Sequence, residues 1–178
     1  MSDTDASQAL ALIVSRLKTL SAMLDKAEGL WVGRDLDMLA AARVAPDMHP
    51  LSWQVAATVT QAELFLGWCQ GEDRSNSVTA PDSWSAAKAM LAKGLADAEA
   101  GVTAGLVMPE KRHIRLEAIG MCLDLSGQRY LDDWILPNLY FHLITMYAIL
   151  RMQGLEFGKA DFMAHVIGDI RPIQPQPV

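Results

Sequence analysis

From Trp134 to Leu150 the chain runs "WILPNLYFHLITMYAIL", without a single Asp, Glu, Lys or Arg. A helix that is apolar on every side has to be buried, either in a membrane or in a protein core. The run falls short of the ~20 residues that cross a bilayer. It also carries Pro137, Asn138 and His142 in its first half. It is therefore read as the buried central helix of a bundle, and no membrane attachment is expected.

The rest of the chain supplies partners for it. Leu10, Ile13, Leu17, Leu20, Leu24 and Ala27 recur at steps of three and four, with Arg16, Lys18, Asp25 and Lys26 between them. This predicts an amphipathic first helix from Asp5 to about Leu30. Gly33 breaks the pattern, and "RDLDMLAAARVAP" reads as a short second helix that Pro46 halts. Pro50 suits a first helical turn, so a long helix should begin between Asp47 and Pro50 and run to Cys69, with Glu63 its only charge. Such a helix needs cover on most sides, from its own bundle or from a second copy, which makes a homodimer through helices the expected assembly. After the polar loop "GEDRSNSVTAPDS", Asp82 is the expected cap of a helix that buries Trp84, Ala87, Leu91, Leu95 and Ala98.

Between about Val107 and Leu125 the period changes to two. Ile114, Leu116 and Ala118 alternate with His113, Arg115 and Glu117, and Gly120 separates this run from "MCLDL", which predicts a short inserted β-hairpin. The last long helix runs from Gln128 to Gln153 and stops at Gly154. The fold class is all-α: one four-helix bundle domain over residues 1–165, followed by a Pro-rich extended tail over 166–178 that ends "RPIQPQPV". Periodicity leaves the helix order open.

Charge and motifs exclude several functions. Fifteen basic residues against twenty-one acidic ones leave a net charge of -6, with no basic cluster to follow a phosphate backbone, so no nucleic-acid partner is expected. "MSDTDASQAL" is acidic where a secretory signal needs a basic start, which points to the cytoplasm. Cys69 and Cys122 show no CxxC spacing and are expected as buried reduced thiols; one of them acting as a nucleophile would need His142 close by. No GxSxG elbow or Walker-type loop is present.

Asn138 and His142 lie four apart and share one helix face, the spacing at which helices place two metal ligands. Pro137 cannot donate to the Asp133 carbonyl, so the amide and the imidazole stand beside a bend. Polar groups buried there need partners, since an unsatisfied one costs roughly 1–3 kcal/mol. The best source is the helix after Pro50, where Gln54, Thr58 and Gln61 form an uncharged stripe expected inside the protein or at an interface. His49 and Asp47, with Trp53, would stand at the mouth of a pocket. A catalytic divalent metal asks for three strong donors. On this face only His142 is one, because Asn138 offers a neutral oxygen and Met146 a soft thioether. No metal or other cofactor is expected; His142 and His49, with Asp47 in reach, are the ligands if a divalent metal does bind. His113 and His165 are expected at the surface, and Trp134, Tyr140, Phe141 and Tyr147 in the core.

The segments "ARVAPDMHPLSWQV" and "YLDDWILPNLYFHLITMYAILRMQGLEFGKADF" resemble an uncharacterised domain family of the DinB/YfiT-like superfamily. Together they cover about a quarter of the chain, and "LSAMLDKAE" and the hairpin fit the same pattern, so the resemblance spans Ala6 to about Phe162. It implies a four-helix bundle in up-down-down-up order and pairing of two subunits through helices. Better-studied members of the superfamily bind a divalent metal with three histidines, one on the second long helix and an HxxxH pair on the last, and some are thiol-dependent transferases or isomerases. His142 matches one histidine of the pair; Asn138 stands where the other would be, and the second-helix position falls near Gln54 or His49.

Three functional readings follow. The first is a protein that binds a small molecule in a polar pocket formed by Gln54, Asn138 and His142, with His49 and Trp53 at its entrance. The second is a metal-dependent enzyme of thiol-transferase or hydrolase type with His142 and His49 as ligands. The third is a structural homodimeric interaction module in which the polar stripe is a buried network. The residues leave enzymatic and non-enzymatic readings both open.

Overall fold

The computed structural model describes residues 6–173; Asp5, the side chain of Ala118 and the last five residues of the expected tail lie outside it. The first helix, α1 (Ala6–Leu30), buries Leu10, Ile13, Leu17, Leu20, Leu24 and Ala27, the stripe its periodicity predicts. A short α2 (Leu36–Ala40) starts where the Asp35 side chain accepts a hydrogen bond from the Asp37 amide. It ends well before Pro46, because the Ala42 carbonyl is taken by the Leu51 amide at 2.8 Å and the chain has already turned toward the next helix.

That helix, α3 (Leu51–Cys69), is the centre of the bundle. It follows Pro50 directly and is buried along nearly its whole length, Gln54, Thr58 and Gln61 included. Its cover comes from the same chain. The helix α4 (Trp84–Val102) packs between α1 and α3, while α3 packs between α4 and α6 (Leu136–Met152). The apolar character of α3 therefore gives no reason for a second copy. The cap of α4 is Ser83 rather than Asp82: its hydroxyl accepts from the Ala86 amide at 3.2 Å. The register is set by a tertiary bond, since the Trp84 amide donates to Asp37 Oδ1 at 2.7 Å and holds α4 against α2. Trp84, Ala87, Leu91 and Ala98 are buried as expected. Leu95 is only half-buried, because at this level Gly94 faces α3, where an added Cβ would come within 2.5 Å of Val59.

Strands β1 (Lys111–Leu116) and β2 (Met121–Ser126) form an antiparallel hairpin, with Lys111 opposite Ser126 and Leu116 opposite Met121. β1 stops sooner than the alternation suggests. Glu117–Ile119 wind into a 3-10 turn that closes through Gly120 at φ 63°, a left-handed conformation suited to glycine. One face of a two-stranded hairpin stays wet, so Cys122 is exposed; Cys69, the last residue of α3, is half-buried, and the two buried thiols expected are not found. Both are free.

The last long helix is continuous but changes pitch. α5 (Gly127–Arg129) leads into a π-helical stretch, Tyr130–Ile135, and then into α6. The wider turn lies just ahead of Pro137, where a regular α-helix would lose a hydrogen bond and meet the proline ring. Gly154, at φ 80°, ends the helix. Two short helices, α7 (Lys159–Phe162) and α8 (Ala164–Ile167), then pack on α1, and α8 crosses the point at which the tail was expected to begin. Among the described residues no helix is long and apolar enough to cross a membrane.

Candidate functional site

Where α3 begins beside α6, three polar groups form a chain of hydrogen bonds. Gln54 Nε2 donates to the His49 carbonyl at 3.1 Å, and Gln54 Oε1 lies 2.9 Å from His142 Nδ1. The first bond fixes the second. With its nitrogen committed to a carbonyl, the amide can only accept at Oε1, so His142 must carry its proton on Nδ1 and present a lone pair at Nε2. No group among the described residues hydrogen-bonds to that Nε2. Burial, and then the neighbouring His49, push the pKa of His142 down to about 4, so the ring is neutral at neutral pH.

Aromatic rings frame this imidazole. Trp53 meets it edge-on with ring centres 5.3 Å apart, and Phe141 does so at 5.2 Å. Trp53 also stacks on His49 at 3.9 Å, with the two planes only 12° apart. His142 and Gln54 are buried, Trp53 is half-buried, and His49 and Phe141 are exposed. The cluster thus runs from the bundle interior to its surface, and Phe141 belongs to it rather than to the core.

Four of the expected site residues, His49, Trp53, Gln54 and His142, come together. Asn138 takes another role: its Nδ2 donates to the Trp134 carbonyl at 2.7 Å, so the amide is spent on a carbonyl of the π turn. Thr58 likewise bonds back to the Gln54 carbonyl at 2.9 Å, and Gln61 keeps a buried Oε1 without a partner. Asp47 is exposed and stands outside the hydrogen-bonded set.

The donors do not fit the divalent metal that three histidines would hold. His142 Nε2 is one strong donor and His49 a second imidazole nearby, but Asn138, held by the Trp134 carbonyl, offers only a neutral amide oxygen. Among the described residues no group of three or more His, Cys, Asp and Glu is placed to hold a metal ion. A cysteine nucleophile fits no better. Cys69 lies at the far end of α3 from Gln54, roughly 22 Å along the axis at 1.5 Å per residue. Burial pushes its thiol up to about 11. His113 is exposed, with Nδ1 2.8 Å from Asp124 Oδ1, while His165 is half-buried with an unpartnered Nδ1.

Two clefts lie elsewhere. A groove of about 330 Å³ follows α1 past Ser15 and Thr19 to α8, and a cleft of about 250 Å³ opens between the loop after α3 and β1. Arg112, which lines the second, is 9% exposed and was overlooked in the sequence. The signal was its place two residues before Ile114 on the inward face of a strand.

A family model described as "Domain of unknown function (DUF1993)" matches residues 7–163. Among solved structures the chain is similar to a DinB family member protein from Shewanella denitrificans, at 25% identity over 95% of this chain and 92% of that one, with a TM-score of 0.68. No curated protein matches it.

Proposed function

From a chain that belongs to the DUF1993 family and shares the fold of a DinB family member, we propose a protein that binds a small molecule at the polar cluster between α3 and α6. The observation that carries this reading is the locked imidazole. His142 is held neutral, its Nδ1–H is engaged by Gln54, and its Nε2 keeps an unshared lone pair among aromatic rings. Nε2 is not among the buried atoms left without a partner, so it opens to the surface, where a ligand N–H or O–H can take the place of water. Trp53 and Phe141 provide apolar walls for the rest of the ligand. A cytoplasmic setting belongs to the same reading, supported by two free cysteines. The metal-dependent alternative rests on two imidazoles and has the weaker support.

The test is a binding screen with small aromatic N–H and O–H donors, followed by chemical-shift changes. Compounds that bind are expected to lose at least about tenfold in affinity with His142→Ala and to keep it with Asn138→Ala. Hits that bind both variants as well as the parent protein would sink the proposal.

A second reading has its own observation. Phe141, Ile144 and Met152 are exposed along one side of α6 and make an apolar stripe. We infer that two copies pair through this face of α6, not through α3. Sedimentation should show a dimer that Ile144→Glu converts to monomer; a parent protein that is monomeric at high concentration would exclude the pairing.

A further inference from the structure

The groove between α1 and α8 has no part in the α3–α6 cluster. Ala11, Ala22 and Ala164 give it apolar walls, Ser15, Lys18 and His165 line it as well, and no carboxylate does. Lys18 is already matched, since its Nζ lies 2.7 Å from Glu99 Oε1. The unmatched cation is Arg16, next to Ser15. Among the described residues three arginines are at least half-buried, Arg16, Arg74 and Arg112. Arg74 pairs with Glu72 and Arg112 with Asp73, whereas Arg16 pairs with no carboxylate in a chain that has twenty-one acidic residues.

Neutral groups hold Arg16 instead. Its Nε donates to the Tyr140 hydroxyl at 2.7 Å and its Nη1 to the Ser15 hydroxyl at 3.1 Å, while the guanidinium stands over the Tyr140 ring, 5.7 Å from its centre. These contacts orient the fork without neutralising it, and a half-buried cation of this kind favours an anion beside it. Two donors remain for that anion. Arg16 Nη2 has no partner among the described residues, and the Ser15 hydroxyl, having accepted from Arg16, keeps its own proton to donate. Ser15 lines the groove, so both stand at its edge. On the α8 side His165 Nδ1 is buried with no partner, and burial, then the charge of Arg16, lowers the pKa of that ring. An unpartnered imidazole nitrogen close to an unpaired guanidinium marks a place that lacks a negative group. At about 330 Å³ the groove falls at the small end of the range of ligand pockets.

We propose that this groove takes a small monocarboxylate with an apolar body, whose carboxylate accepts from Arg16 and Ser15 while the body lies against the alanine-lined wall. The competing structural role, in which Arg16 only ties α1 to α6 through Tyr140, predicts no saturable binding.

The experiment titrates the full chain with hexanoate, replacing chloride at constant ionic strength, and separately with hexanol, following backbone amides and histidine rings by NMR. Saturable shifts are expected in α1 around Ser15 and in α8, with hexanol binding at least about tenfold more weakly. The pKa of His165 should rise when hexanoate binds, because the carboxylate offsets Arg16. Affinity should fall at least about tenfold in Arg16→Gln. It should fall as far in Ala164→Phe, which fills the groove from an exposed position and leaves Arg16 and the core in place. Arg43→Gln, an exposed arginine between α2 and α3, should bind as the parent does. Non-saturating shifts, equal affinity for hexanol, or an unchanged affinity in either variant that folds would overturn the proposal.

Discussion

Gly127→Ala is expected to destabilise the protein by about 3 kcal/mol, read as a lower midpoint of urea unfolding with an unchanged slope. The reason is space, not backbone conformation, since Gly127 is not among the glycines with positive φ. An added Cβ would overlap the Pro109 carbonyl oxygen and press on the Trp68 ring. A side chain can turn away from a new methyl group; a backbone carbonyl cannot without moving the segment that leads into β1. The contact is also where the hairpin is rooted, because the Gly127 amide donates to the Glu110 carbonyl at 2.7 Å and Trp68 Nε1 donates to the Lys111 carbonyl at 3.3 Å. Displacing one should loosen the other. Gly29→Ala is the control: nothing stands within 4 Å of its Cβ position, and in α1 the change should stabilise by roughly 0.5–1 kcal/mol. Were the two variants equally stable, the close approach at Pro109 would not exist.

The long helices were legible because their burial is repetitive. Six apolar positions at helical spacing in α1 and a single charge in α3 leave little freedom about which faces go inside. Features decided by one neighbour were not legible. Asp82 and Ser83 are both good caps one residue apart, and the choice falls to Asp37, distant in sequence, which takes the Trp84 amide. Spacing groups Asn138 with His142 correctly as a matter of helix geometry, yet a short amide beside a π turn finds the carbonyl four residues back sooner than a ligand. For α3, composition demanded cover without saying whose, and the answer required knowing that α4 and α6 flank it on either side. Arg112 was hidden by its residue type. Its strand position points inward, but arginine is so seldom buried that the alternation is easily discounted.

The locked imidazole makes a pH prediction with a definite sign. In the unfolded chain His142 should titrate near its ordinary 6.5, whereas in the folded protein burial and His49 hold it near 4. Between those values the unfolded state binds a proton that the folded state refuses, so stability falls as pH drops from 6.5 to 4 and the loss is complete below 4. At roughly 1.4 kcal/mol per pH unit the loss approaches about 3 kcal/mol. Carboxylates titrate in part of the same range, so the quantity to measure is the difference between the parent protein and His142→Gln, which removes the titrating group and keeps an amide opposite Gln54. Urea unfolding at a series of pH values should show the parent losing about 3 kcal/mol relative to the variant across this window. Parallel curves would mean that the ring accepts a proton in the folded state as readily as in water, and Nε2 would then be a donor in mild acid. If the curves diverge as expected, Nε2 remains an acceptor throughout the neutral range. Donor ligands should accordingly bind with little pH dependence above about 5, until their own groups titrate.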